Sequence, residues 1–167
     1  VAIHNADLYR TERWRRQVAD GLREVAGLIS ADVGLEEVLD RILRELERNL
    51  PCDVAVIWLL EGDNLYVAQA HGGDTMEIDD AAHRWPEAYG FLASALSSEQ
   101  PIIRKPDDPI GPTGTAMGYS ADYSSIAGGL RAGDRPLGVI TLSHHTAGRY
   151  GHEALAMTAT FANYAAV

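Results

Sequence analysis

Ser125-Ile126-Ala127-Gly128-Gly129-Leu130-Arg131-Ala132-Gly133-Asp134-Arg135-Pro136-Leu137-Gly138-Val139-Ile140-Thr141-Leu142 is the stretch on which the fold turns. Two runs of branched and apolar residues, Ser124 to Arg131 and Leu137 to Ser143, read as strands. Between them Ala132-Gly133-Asp134-Arg135-Pro136 supplies the turn, and Pro136 falls at a strand start, where its missing N–H does no harm.

Upstream, residues 106 to 118 hold three prolines and three glycines and read as one long loop, of the kind that lids a pocket. Gln100-Pro101-Ile102-Ile103 reads as a short strand. Asp79 to Ser98 reads as two short helical pieces broken by Pro86 and Gly90, the second spanning Tyr89 to Leu96. Cys52 to Leu60 and Leu65 to Ala70 form a hairpin around Glu61-Gly62-Asp63-Asn64. Before it, Leu35, Val38, Leu39, Ile42, Leu43, Leu46 and Leu50 make a broad helical stripe that must cover a sheet. Gly34 caps that helix, Glu36 and Glu37 meet its positive end, and Pro51 stops it.

Downstream, a last helix begins after Gly151, with Glu153 in its first turn. Leu155, Thr158, Ala159, Ala162, Ala165 and Ala166 give it a small-residue face suited to close packing. At the other end, the first 29 residues read as one helix. Val1, His4, Leu8, Thr11, Arg15, Val18, Leu22, Val25 and Ile29 follow the three-and-four spacing of a coiled-coil seam. The seam is apolar only in its second half, which suggests a connector packing against a partner copy.

The element order α-α-β-β-α-β-(loop)-β-β-α lacks the alternation of a Rossmann fold. It predicts an α/β (α+β) domain with a central antiparallel sheet, terminal helices on one face, and short helices with the long loop on the other. The 167 residues suffice for one such core. A formal charge of −10 argues against nucleic-acid binding and against an anionic membrane surface. The longest apolar runs, Val54 to Leu60 and Ala162 to Val167, are too short to span a bilayer, and no signal-peptide pattern opens the chain, so cytoplasmic is the expected location. The lone Cys52 excludes an internal disulfide and heads an apolar run, which predicts a buried, inert thiol.

Several segments resemble the GAF family, the sensory modules of two-component kinases, phosphodiesterases and light sensors. Ser125 to Leu142 resembles the family's penultimate and last strands, with Gly129 where many members carry proline. Leu35 to Leu43 and Cys52 to Leu60 resemble its first domain helix and first strand, Leu92 to Ile103 its helix-plus-strand, and Gly148 to Leu155 its turn into the closing helix. The resemblance covers residues 22 to 167 in order. Phe161 to Val167 and Val1 to Tyr9 look like consecutive halves of the family's exit helix, so residues 1–21 read as a connector helix ending a preceding domain, and 22–167 as the sensory domain.

The sequence contains no G-x-S-x-G, P-loop, H-E-x-x-H or G-x-G-x-x-G pattern, and no catalytic set is expected. Gly111-Pro112-Thr113-Gly114-Thr115-Ala116 lacks the lysine of a phosphate loop. Adjacent His144 and His145, in an extended segment, should point to opposite faces, so that only one could join His152; no metal site is expected. The resemblance implies a small-molecule pocket between the sheet and the middle helices with their loop, to which His83, Trp85, Tyr89, Phe91, Met117, Tyr119 and Tyr123 contribute, with Trp58 from the first strand. It does not name a cofactor. A chromophore-attaching cysteine in mid-domain and the N-K-x-F-D-E-type cyclic-nucleotide signature are both missing, and Cys52 has no partner for methionine-sulfoxide chemistry.

The expectation is therefore a non-enzymatic sensory domain of a larger bacterial signalling protein. It would bind a small molecule or sense a neighbouring domain, dimerise through its terminal helices and act on an output domain of the same polypeptide. The alternative is a structural dimerisation adaptor with no small-molecule ligand.

Overall fold

A computed structural model describes residues 34–84, 89–132 and 134–165. The long connector helix expected over residues 1–29 lies outside them. The elements are α1 (Leu35–Asn49), β1 (Val54–Glu61), β2 (Asn64–His71), α2 (Thr75–Arg84), α3 (Gly90–Ser97), β3 (Ile102–Ile103), α4 (Pro112–Met117), β4 (Ser124–Ala132), β5 (Arg135–His144) and α5 (His152–Ala165). The strands form one antiparallel sheet in the order β2-β1-β5-β4-β3.

The two hairpins arise locally. Gly62, at φ +63°, opens the β1–β2 turn, and Glu61 pairs with Asn64 across it. β4 folds back onto β5 with Ala132 opposite Arg135. The long-range step is the pairing of β1 with β5, which sets Val54 opposite Ser143 and Leu59 opposite Gly138. It places both central strands under cover on two sides. Every residue from Val54 to Trp58 and from Gly138 to Ser143 is buried, and so these strands read as continuous apolar runs rather than alternating ones.

One face packs against the terminal helices. Ala55, Ile57, Ile126, Ile140 and Leu142 meet Leu39, Ile42, Leu43 and Leu46 of α1 and Met157, Phe161 and Ala162 of α5. Full burial of each large side chain contributes roughly 1.5–3 kcal/mol, so the α1 stripe alone outweighs any surface ion pair in the domain. A polar clasp adds direction: His71 at the end of β2 reaches Asp40 at 2.6 Å and Glu47 at 3.1 Å, both on α1. The small-residue face of α5 has its counterpart in Gly128, where a Cβ would lie 3.0 Å from the Thr158 methyl. Cys52 packs at the margin of this core.

The opposite face packs Val54, Val56, Trp58, Ala127 and Val139 against Ile78 and Ala82 of α2 and Leu92 and Ala95 of α3. Gly129 is required here, since a Cβ would sit 2.9 Å from the Ala95 carbonyl oxygen. The two layers stand as the sequence predicts.

Two expectations need correction. The stretch 106–118 is not all loop, because α4 occupies Pro112–Met117, with proline at its first turn and Gly118 closing it at φ +67°. Three prolines and three glycines masked a helix whose ends two of them form. α2 also starts at Thr75, ahead of the expected Asp79, because the Asp74 carboxylate accepts the Glu77 amide at 2.9 Å and caps it.

Gly138 gives the first test of the central pairing. A Cβ there would lie 2.0 Å from the Trp58 carbonyl oxygen, whereas one at Gly62 meets nothing within 4 Å. Gly138→Ala should lower unfolding free energy by about 3 kcal/mol or more by forcing the strands apart, and Gly62→Ala by only about 1–2 kcal/mol for its left-handed backbone. Urea denaturation of both variants measures the difference.

Cys52 gives a second. Burial, with the Glu47 and Asp53 charges, pushes its thiol up to about 12, well above the usual thiol range. The thiolate fraction near pH 8 falls about a thousandfold, offset only in part by higher intrinsic nucleophilicity, so reaction with a disulfide reagent should be some tens of times slower in the folded chain than in urea. Absorbance of the released thiol follows both rates.

Candidate functional site

Two regions gather the chemistry: the loop-covered end of the sheet around Arg104, and the ends of the two central strands around Asp53.

Arg104 follows the two-residue strand β3 and is buried with no carboxylate against its guanidinium among the described contacts. Its charge is met by carbonyls instead. Nε donates to Pro109 at 3.1 Å, one terminal nitrogen donates to Ala121 at 2.7 Å and Tyr123 at 3.2 Å, and the other donates to Asp108 at 2.6 Å. The guanidinium also lies 4.2 Å from the Tyr123 ring centroid, in cation–π range. Tyr123 in turn accepts the Gly111 amide at 2.9 Å, and its ring supports α4 so closely that a Cβ on Gly114 would come within 2.6 Å of it. The glycine in the Gly-Pro-Thr-Gly run is therefore a packing residue. Arg104 and Tyr123 together fasten the whole segment from Lys105 to Asp122.

Beside this fastened loop lies a half-open cleft of about 300 Å³ lined by Gly90, Phe91, Ser94, Ile102, Ile103, Asp108 and Pro109. A second hollow of about 390 Å³ lies at the corner between the end of α1 and the start of α5, lined by residues including Asn49, Arg149, His152 and Glu153. The first is on the middle-helix side of the sheet and the second on the terminal-helix side.

The aromatic residues expected to line one pocket are dispersed. Phe91 borders the 300 Å³ cleft. Trp58 is fully enclosed in the core, its indole N–H donating to Thr141 Oγ1 at 3.1 Å. Tyr89 accepts the Leu65 amide at 2.7 Å, and Asp79 accepts the Val67 amide at 2.9 Å, so side chains occupy the outer edge of β2. His83 stacks on Tyr66 with centroids 4.9 Å apart. Tyr119 and Tyr123 meet at 5.5 Å, and Met117 lies near Gly73, partly exposed. Trp85 falls outside the described residues.

At the strand ends, Asp53 carries the second cluster. Its amide donates to the Ser143 carbonyl at 2.8 Å, extending the β1–β5 ladder by one residue. Its carboxylate accepts the His145 amide at 2.8 Å and the His145 imidazole at 2.5 Å, with His144 Nε2 at 3.8 Å. Burial would raise this carboxyl, but the two hydrogen bonds from His145, with the electrostatic pull of the neighbouring imidazoles, outweigh it and hold Asp53 below the usual carboxylate range. The imidazoles of His144 and His145 stack at 4.6 Å. The expectation that they point to opposite faces fails because β5 ends at His144 and the chain bends there, so the two-residue alternation no longer applies. Asp53 was the unread member of this set, and the strand register alone brings it there.

Removing the Arg104 guanidinium should free the loop. Hydrogen bonds to a charged group contribute roughly 1.5–3 kcal/mol each, and Arg104→Met abolishes four while leaving Ala121, Tyr123, Pro109 and Asp108 carbonyls unpaired, for a loss of about 3 kcal/mol or more. Hydrogen exchange should then rise over residues 105–122 before it rises in the central strands.

Among solved structures the fold is similar to the GAF domain of A. aeolicus nlh2 in an inactive state, at TM-score 0.65 and 15% identity over 92% of this chain and 95% of that one. It is also similar to the phycocyanobilin-bound GAF domain of a cyanobacterial phytochrome, at TM-score 0.66 and 15% identity over 89% and 91%. A third likeness is to the GAF domain of a two-component sensor histidine kinase from Bacillus halodurans, at TM-score 0.59 and 16% identity over 80% and 91%. No match is found among curated proteins. The family model described as GAF domain matches residues 32–167, which include every described strand and helix, and the chain belongs to the GAF domain family.

Proposed function

We propose that this chain is a regulatory, non-enzymatic GAF domain that binds a small molecule at the cleft between α3, β3 and the Arg104-held loop. It would pass the change through the sheet to its terminal helices and on to an output domain of the same polypeptide. The observation that carries this reading is the unequal covering of the sheet. Two long helices bury most of their apolar stripes against one face, while three short helices and a loop tied by one arginine cover the other. The second covering is the one that a ligand could shift with less loss of apolar burial, since its buried cluster is the smaller of the two.

Similar solved structures support the sensory part of the proposal: one is a domain of a sensor histidine kinase and one holds a bilin chromophore. This chain has no cysteine in its middle helices or loop for a covalent chromophore. Its cleft, with the Phe91 ring, two isoleucines and the Asp108 backbone, suits a compact, largely apolar ligand. The domain division at residues 21 and 22, dimerisation through the terminal helices and a cytoplasmic setting belong to the same proposal. Among the described residues, no helix is long and apolar enough to cross a membrane.

A second reading has its own support. Trp58, Tyr89 and Tyr123 all spend their polar groups on internal partners, which is what an adaptor with a filled core would show. A thermal-shift screen against metabolites and cyclic nucleotides, repeated with Ser94→Trp to fill the cleft, separates the two. The sensory reading expects at least one compound that raises the melting temperature of the natural chain and loses that effect in the variant. Silence across the screen, with a dimer persisting in light scattering, would leave the adaptor.

A further inference from the structure

We propose that Asp53, His144 and His145 form a binding site for a divalent transition-metal ion of the imidazole-preferring class, zinc foremost. The three residues offer two ring nitrogens and one carboxylate oxygen, all within 4.8 Å of one another. Around a tetrahedral zinc with bonds near 2.0–2.2 Å, donor atoms stand about 3.4 Å apart. His145 Nδ1 stands 2.5 Å from Asp53 Oδ2 and His144 Nε2 stands 3.8 Å from Oδ1, so an ion would widen the first separation and narrow the second toward that spacing. Two imidazoles with one carboxylate suit zinc, nickel or copper, whereas magnesium and calcium call for oxygen donors throughout.

The site sits at the end of the central strand pairing. Asp53 and His144 flank the β1–β5 pairing that begins with Val54 opposite Ser143, so their backbones cannot drift independently. One carboxylate against a dication leaves net positive charge, and three protein ligands leave at least one position for water. The Tyr119 hydroxyl is buried beside Asp53 and adds to the polar surroundings of its carboxylate.

Protons must move for the ion to enter. The His145 Nδ1 proton now faces Asp53 and would pass to Nε2 on a ring that is exposed to solvent. His144 Nδ1 accepts the Thr146 amide at 3.0 Å, which puts its proton on Nε2; coordination through Nε2 sends that proton to Nδ1 and gives up the Thr146 bond. These losses set the affinity below that of a closed four-ligand structural site.

Zinc titrated calorimetrically into the chelator-treated chain, and cobalt(II) followed by its visible bands, test the site directly. The expected result is one ion per chain, bound at least about tenfold more weakly in His144→Ala, His145→Ala and Asp53→Asn, with His152→Ala unchanged. Asp53→Asn keeps an acceptor for the His145 amide, and circular dichroism checks that each variant is folded. Uptake that persists in the folded His144→Ala/His145→Ala double variant, or no saturable uptake by the natural chain, would overturn the proposal.

Discussion

The pairing of β1 with β5 is the constraint from which the rest of the domain follows. It joins residues 54–59 to residues 138–143, about 80 to 90 positions apart. β2 and β4 attach to these two strands through hairpins, and β3 adds to the edge of β4. Closing so large a loop is entropically unfavourable before any contact rewards it. The compensation is concentrated at the join. Both strands are covered on two sides, and the one large polar side chain between them, Trp58, donates to Thr141 on the facing strand rather than being left unpaired. Glycine at 138 permits the close approach.

That same pairing makes neighbours of the first and last described helices. α1 precedes β1 and α5 follows β5, so joining the strands lays both helices on one face, where Leu43, Leu46, Met157 and Phe161 fill the space between them and the sheet. The first and last described helices therefore share one side of the sheet, and the short elements cover the other. The division is a product of chain order and handed packing, and needs no ligand to exist.

Much of this was legible because the strongest sequence signals are those tied to burial. The α1 stripe, the Cys52–Leu60 run and the Ser125–Leu142 hairpin each carry many apolar positions at a consistent period, and the structure keeps them to within one or two residues. What escaped depends on single contacts. α4 is six residues long, and its stability rests on Pro112, Gly118 and the ring of Tyr123 twelve residues from Gly111. The role of Arg104 is invisible in sequence because its partners are backbone carbonyls, which every residue possesses. Tyrosines with polar handles were legible as buried, but Tyr89 serves a strand edge and Tyr123 a loop, and residue type alone does not distinguish those uses from lining a cavity.

A cleft of about 300 Å³ lies at the lower end of the range for small-molecule sites, roughly 300–1,000 Å³, and this bears on how a signal could travel. A larger ligand would have to displace the segment that carries Asp108 and Pro109, and both of their carbonyls are held by Arg104. The same guanidinium grips Ala121 and Tyr123 at the entry to β4, and Tyr123 leads directly into Ser124 and Ser125, whose hydroxyls bond the Thr146 and Leu142 carbonyls. Beyond Thr146, the Arg149 amide returns to the Ser124 hydroxyl just before α5 begins. A ligand can shift an equilibrium only by its differential affinity for two states, so coupling requires that loop displacement and helix position share contacts. Arg104, Tyr123, Ser124 and Arg149 form a continuous set of contacts from the cleft to the base of α5, at the end of the sheet rather than through its filled centre, and the proposed coupling would run along them.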